Sequence, residues 1–128
     1  MNSNADVVRQ AYDAFASGDI ARILELLDEG VAWSAPATLP QGGVFDGKDG
    51  ALRFFQGIGA TWETLKVDAE AIGALGPDLV VAVVHGAGVL RGAGHGEYGA
   101  VHVFTIKDRR ITRFREFVDL DGALVPGG

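Results

Sequence analysis

The chain has 128 residues, 48 % of them hydrophobic and 22 % charged, which fits one globular domain over 1–128 and excludes a disordered chain. A formal net charge of −6 argues against a nucleic-acid partner, which asks for a concentrated basic footprint. With no cysteine there is no disulfide framework and no thiolate metal site or nucleophile, and no apolar run approaches the ~20 residues of a membrane-spanning helix.

The first residues, Met1-Asn2-Ser3-Asn4, carry no basic stretch followed by an apolar one, so a cytoplasmic protein with no membrane partner is expected. Residues 5–16 read as a helix, with Val8, Ala11, Tyr12 and Phe15 on one apolar stripe. Ser17-Gly18-Asp19 breaks the chain. Asp19 is placed to cap a second helix through Glu29, with Ile20, Ile23, Leu24 and Leu27 inward and Gly30 just past its end. Val31–Trp33 reads as a short strand entering a loop at Pro36 and Pro40. Gly47–Gly50 opens a third helix, with Leu52, Phe55 and Ile58 inward. Beyond Trp62 the pattern turns extended, with runs at 65–75, 79–90, 99–107 and 111–120. Gly92-Ala93-Gly94 suits a tight hairpin, and Asp108-Arg109 the next turn. Three helices followed by strands make an α+β fold: a curved, mostly antiparallel sheet wrapped around three N-terminal helices. Glycines at 86 and 88 help it bend and leave room inside.

A hairpin turning on Ala93-Gly94 sets His85 opposite His102 on one face, beside Val83 and Phe104, and leaves His95 exposed at the turn. In Arg113-Phe114-Arg115-Glu116-Phe117, alternation puts Phe114 and Glu116 on the apolar face and both arginines on the soluble one. A carboxylate among apolar neighbours is desolvated and suited to general acid or base work. A plain two-residue turn at Asp108-Arg109 pairs His102 with Arg115; a one-residue bulge brings it opposite Glu116. The structural alternatives are core histidines and a bridge from Glu116 to Arg113 or Arg115. His85, His102 and Glu116 also have the composition of a facial metal triad, but their spacing carries no metal signature and no metal is expected. Tyr12, Trp33, Phe54, Phe55, Trp62, Tyr98 and Phe104 are candidates to wall a cavity. The basic cluster from Lys107 to Arg115 reads as the outer face of the last hairpin, where Val101, Val103 and Phe117 suit a homodimer interface.

In chain order, Asp19-Ile20-Ala21, Trp33-Ser34-Ala35-Pro36, Phe45-Asp46-Gly47-Lys48-Asp49-Gly50, the run from Ala100 to Asp108 and the run from Ile111 to Asp119 resemble the SnoaL-like proteins of the nuclear-transport-factor-2-like superfamily. The resemblance implies a cone-shaped α+β fold with a largely apolar pocket at its open end, usually in a homodimer. That superfamily includes ketosteroid isomerase, limonene-epoxide hydrolase, polyketide cyclases and non-catalytic binders, so fold alone does not set function. The resemblance places His102 where the isomerase keeps a protonated aspartic acid, and Glu116 where the hydrolase carries its water-activating aspartate. There are departures. Ala35 precedes Pro36 where the isomerase has its proton-shuttling carboxylate, and its first-helix tyrosine falls at Ala11, with Tyr12 one step off. The hydrolase's middle-strand Arg and Asp fall near Val83 and His85.

The expected function is therefore small-molecule binding. It would come with cofactor-independent acid/base chemistry (isomerisation, cyclisation or epoxide hydrolysis) on a hydrophobic, oxygenated, polyketide- or terpenoid-like substrate. Glu116 is the expected acid or base, His102 the group stabilising negative charge, and His85 a tuning or relaying imidazole. Trp33, Phe55, Tyr12, Tyr98 and Phe104 are the expected substrate contacts. The alternative is a ligand-binding or stress-associated protein without turnover. The excess of Arg over Lys and the richness in Ala, Gly and Val suit a bacterium with a GC-rich genome.

Overall fold

Ser3 opens the first helix, α1 (Asn4–Ala16), through a capping box: its hydroxyl accepts from the Asp6 N–H at 3.2 Å, and the Asp6 carboxylate accepts from the Ser3 N–H at 3.2 Å. Asp19 caps α2 (Ile20–Leu26) as its position predicts, accepting from the Arg22 N–H at 3.1 Å. The third helix, α3, spans Gly47–Thr61. These elements come from a computed structural model that describes residues 3–36 and 42–118; Pro40, Asp119 and Leu120 lie outside the described residues.

The second helix is shorter than its apolar spacing predicts. It ends at Leu26, and Leu27 begins strand β1 (Leu27–Ala35), so Gly30 lies inside a strand. Leu27 satisfies the helical spacing, but it is fully buried in parallel pairing with Ile111, and that tertiary contact decides its state. A short strand β2 (Gly43–Val44) pairs with the end of β1. The meander follows as β3 (Trp62–Leu75), β4 (Leu79–Leu90), β5 (Gly94–Lys107) and β6 (Arg110–Phe117). The sheet runs β2-β1-β6-β5-β4-β3, antiparallel throughout the described strands except where β1 meets β6. The α+β reading holds, with one parallel contact added.

The helices cover one face of this sheet, α1 against β3 and β4 and α3 against β1 and β3. Inward residues such as Val31, Val80, Val84, Ile106 and Ile111 meet Val8 and Phe54 in one core. Alternation along β4 to β6 keeps that face apolar. In α3 the buried residues are Gly50, Ala51 and Phe54, whereas Leu52, expected inward, is 36 % exposed. Phe54 takes the inward place because its ring meets those of Trp33 and Phe45, each at a centroid distance of 5.5 Å.

Two hairpin registers position the site. The β4–β5 loop has three residues, Arg91-Gly92-Ala93, closed by a Leu90–Gly94 pair, with Gly92 and Gly94 at φ 75° and 81°. The strands therefore mate about Gly92 rather than Ala93-Gly94. His102 pairs with Ala82 and His85 with Gly99, so the two histidines do not face each other as expected but stand on opposite faces of the sheet. An odd-numbered slip has this effect because side chains alternate with period two.

The β5–β6 turn is the two-residue Asp108-Arg109, at φ 51° and 64°. Its ladder shifts by one residue: Ile106 pairs with Ile111, but Thr105 pairs with Arg113. Thr112 is the extra residue, and its hydroxyl donates to the Thr105 carbonyl at 3.2 Å. This bulge sets Glu116 directly opposite His102.

Candidate active site

Between the helices and the inner face of the sheet lies a pocket enclosing about 550 Å³ of empty space, part of it open to solvent. Its wall is almost wholly apolar. All five residues expected to contact a substrate, Tyr12, Trp33, Phe55, Tyr98 and Phe104, line it. Trp33 is fixed among aromatic rings. It stacks on Phe114 at 4.1 Å between centroids and meets Phe55 near edge-on at 5.5 Å. Tyr98 lies over Gly86, its partner across the ladder, where a Cβ would run into the phenol ring. Gly86 thus makes the room that its place in the strand suggests.

A chain of three polar side chains runs beneath this apolar wall. The Tyr12 hydroxyl lies 2.6 Å from His102 Nδ1, and His102 Nε2 lies 2.7 Å from Glu116 Oε2. The side chains of His102 and Glu116 are only 9 % and 3 % exposed. Burial, followed by the negative charge of Glu116, pushes the Tyr12 hydroxyl well above its ordinary pKa of 10.0. Tyr12 therefore keeps its proton. With the imidazole in its Nε2–H tautomer, the hydroxyl donates to Nδ1 and Nε2–H donates to the Glu116 carboxylate.

Both ring nitrogens of His102 are engaged within the protein, Nδ1 with Tyr12 and Nε2 with Glu116. The partner of Glu116 is His102, not Arg113 or Arg115, which the alternation of β6 turns to the other face. The Tyr12–His102 bond is the feature that sequence reasoning misses. Tyr12 sits on the inward stripe of α1, but only the packing of α1 on the sheet brings its hydroxyl to the imidazole.

His85 lies elsewhere. On the outer face its Nε2 stands 2.9 Å from Glu97 Oε1, at ion-pair distance but without aligned hydrogen-bond geometry, while His95 Nε2 lies 2.9 Å from Glu97 Oε2. The hydrogen bond from His95 holds the exposed Glu97 carboxylate below its ordinary pKa. The sheet separates His85 from the pocket, so His85, His102 and Glu116 do not converge, and His85 cannot tune or relay for His102.

Residues 8–114 match the SnoaL-like domain family. The chain belongs to that family. Solved structures share the fold of this SnoaL-like chain. A nuclear-transport-factor-2-like protein of unknown function from Burkholderia pseudomallei superposes with a TM-score of 0.84 at 21 % identity, over 98 % of this chain and 99 % of that one. TerC, co-crystallised with polyporic acid, gives 0.80 at 24 % identity over 93 % of each chain. A Mycobacterium tuberculosis protein in complex with estradiol-17β-hemisuccinate gives 0.78 at 21 % identity, over 94 % of this chain and 97 % of that one. Identities this low establish the fold alone. No curated protein matches the sequence. Among its described residues, the SnoaL-like chain has no helix long and apolar enough to cross a membrane.

Ala35, at the end of β1, is buried. Among the described residues lining its pocket, Glu116 is the one carboxylate.

Proposed function

We propose that this SnoaL-like protein binds a hydrophobic, oxygenated small molecule, polyketide- or terpenoid-like in build, and performs acid/base chemistry on it without a cofactor. The observation that carries this reading is the Tyr12–His102–Glu116 chain under an apolar pocket. Glu116 is its reacting end. Oε2 is held by His102, while Oε1 is buried without a hydrogen-bond partner. A carboxylate so placed would take a proton from carbon beside a ligand carbonyl, the opening step of isomerisation and of aldol-type cyclisation. The same oxygen could take a proton from water attacking an epoxide. The small molecules held by two similarly folded proteins, polyporic acid and estradiol-17β-hemisuccinate, support a small-molecule ligand.

Deuterium exchange tests this without knowledge of the natural substrate. 1-Tetralone is an apolar bicyclic ketone, and NMR in heavy water reads loss of its C2 protons. The protein should accelerate exchange, and Glu116→Gln should cut the acceleration by about 100-fold or more. A second reading, a passive ligand carrier, is favoured by the nearly complete apolar cover over the polar chain. Tight tetralone binding with exchange no faster than in buffer would establish that reading instead.

A further inference from the structure

The polar chain leaves one requirement of this chemistry unmet. Removing a proton beside a carbonyl places negative charge on the carbonyl oxygen, and that charge needs a hydrogen-bond donor waiting where it develops. His102 cannot supply it, because both its nitrogens are engaged. The Tyr12 hydroxyl is engaged with His102. A different pocket residue holds a free donor: Trp33 Nε1 is buried with no hydrogen-bond partner. An unpartnered buried N–H is costly and calls for a reason.

The placement of this indole supplies one. Trp33 lies on β1 and pairs with Phe114 of β6, two residues before Glu116 on the same inward face. Neighbouring strands lie ~4.8 Å apart, and successive inward residues ~7 Å apart along a strand. Trp33 and Glu116 therefore stand within one ligand's width on adjoining strands. Each is held rigid, Trp33 by stacking on Phe114 at 4.1 Å and Glu116 by His102 at 2.7 Å. Each carries one unpartnered polar atom, a donor and an acceptor, buried behind the almost wholly apolar wall that a bound ligand must part to reach them.

We propose that Trp33 Nε1–H is the oxyanion donor of this site and works as a pair with Glu116 Oε1, which makes the substrate class an enolisable ketone on an apolar skeleton. The inference rests on the acid/base reading of the pocket. Glu116 Oε1 takes the proton as the C–H bond breaks. The bonding pair becomes the new carbon–carbon double bond, and the carbonyl π pair moves onto oxygen, where Trp33 Nε1–H meets it. Return of a proton or deuteron from Glu116 to carbon closes the cycle, and no other reactant is consumed.

The test uses 1-tetralone and 1-naphthol, a stable planar mimic of its enol. Trp33→Phe keeps an aromatic ring and removes the N–H. It should slow tetralone exchange about tenfold or more with KM little changed, and should weaken 1-naphthol more than 1-tetralone. In the parent protein, 1-naphthol should move the Trp33 indole N–H resonance downfield; the chain has two tryptophans, so Trp62→Phe makes the assignment. If Trp33→Phe exchanges at the parental rate, or raises only KM, the donor role is overturned and the acid/base reading stands. No exchange by the parent protein overturns both. Should Trp33→Phe fold poorly, an indole resonance unmoved by bound 1-naphthol still refutes the donor role.

Discussion

The hydroxyl of Thr112 donates to the carbonyl of Thr105 across the single register shift of the β5–β6 ladder, and everything beyond that bond faces the side that the shift dictates. A bulge absorbs one residue, so excision of Thr112 should iron out the ladder and leave His102 opposite Glu116. Insertion of one residue between Arg113 and Phe114 should turn Arg115 into the pocket and Glu116 out of it, costing at least ~3 kcal/mol through an unpaired buried cation. Denaturant melts of the two variants check this. Equal losses would mean that the bulge does not set the register.

Among the described residues Glu116 has one hydrogen-bond partner, His102, and its substitutions should separate accordingly. Glu116→Gln still offers His102 Nε2–H an acceptor and should lie within about 1 kcal/mol of the parent in stability. Glu116→Ala strands that N–H and should lose ~1–3 kcal/mol. Chemical unfolding at neutral pH measures both. A loss for Gln as large as for Ala would mean that the negative charge itself stabilises the fold.

Tyr12 should shape the alkaline limb of stability. In the unfolded chain its hydroxyl ionises near the ordinary value of 10.0, while the folded protein holds that proton to higher pH. Above pH 10 the folded state keeps a proton that the unfolded state has released, so stability falls as pH rises there, by up to ~1.4 kcal/mol per unit. Below pH 10 this group adds no pH dependence. Tyr12→Phe should flatten the fall above pH 10 and cost ~0.5–1.5 kcal/mol near neutrality through the lost bond to His102. Urea midpoints from pH 7 to 11 check both.

Two glycines of β4 should respond differently to alanine. At Gly86 the added methyl meets the far end of the Tyr98 ring, and at Gly88 it meets the backbone carbonyl of Thr64. A ring can swing, here toward the pocket, so Gly86→Ala should cost ~1–3 kcal/mol and weaken ligand binding. A paired strand backbone cannot swing alone, so Gly88→Ala should destabilise more. Thermal melts and 1-naphthol titrations rank the two.

We also propose a homodimer through the outer face of the sheet. Val83, Val101 and Phe117 stand in register across β4, β5 and β6, with Val83 43 % and Phe117 46 % exposed. Light scattering should give a dimer mass at micromolar concentration, and Phe117→Asp should give a monomer. A monomeric parent would remove the proposal.

Much of this arrangement is legible before folding, and the illegible parts have physical causes. Alternation alone turns Glu116 inward, and counting residues around Asp108-Arg109 already shows that a bulge is required to bring it to His102. The β4–β5 register is not legible. With glycine at 92, 94 and 96, several turns are sterically equal, and only the full ladder selects a three-residue loop. Choosing the wrong turn sends His85 to the wrong face. Leu27 fits a helix and a strand alike until Ile111 is beside it. Tyr12 shows its stripe but not its partner, because the rotation of α1 about its axis is set by what the helix packs on.

The parallel contact of β1 with β6 also governs when this protein can finish folding. Tyr12 and His102 are 90 positions apart, and the β1 edge that holds Trp33 stays open until residues 111–115 arrive beside it. On a ribosome the helices and β1 emerge first and wait while most of the meander is synthesised. During that wait Val31 and Trp33 have no sheet to enter. Contacts this distant in sequence make for slow closure and for transiently exposed apolar surface. The fold therefore cannot close until β6 has been made, and β6 is the piece whose loss would leave β1 unseated.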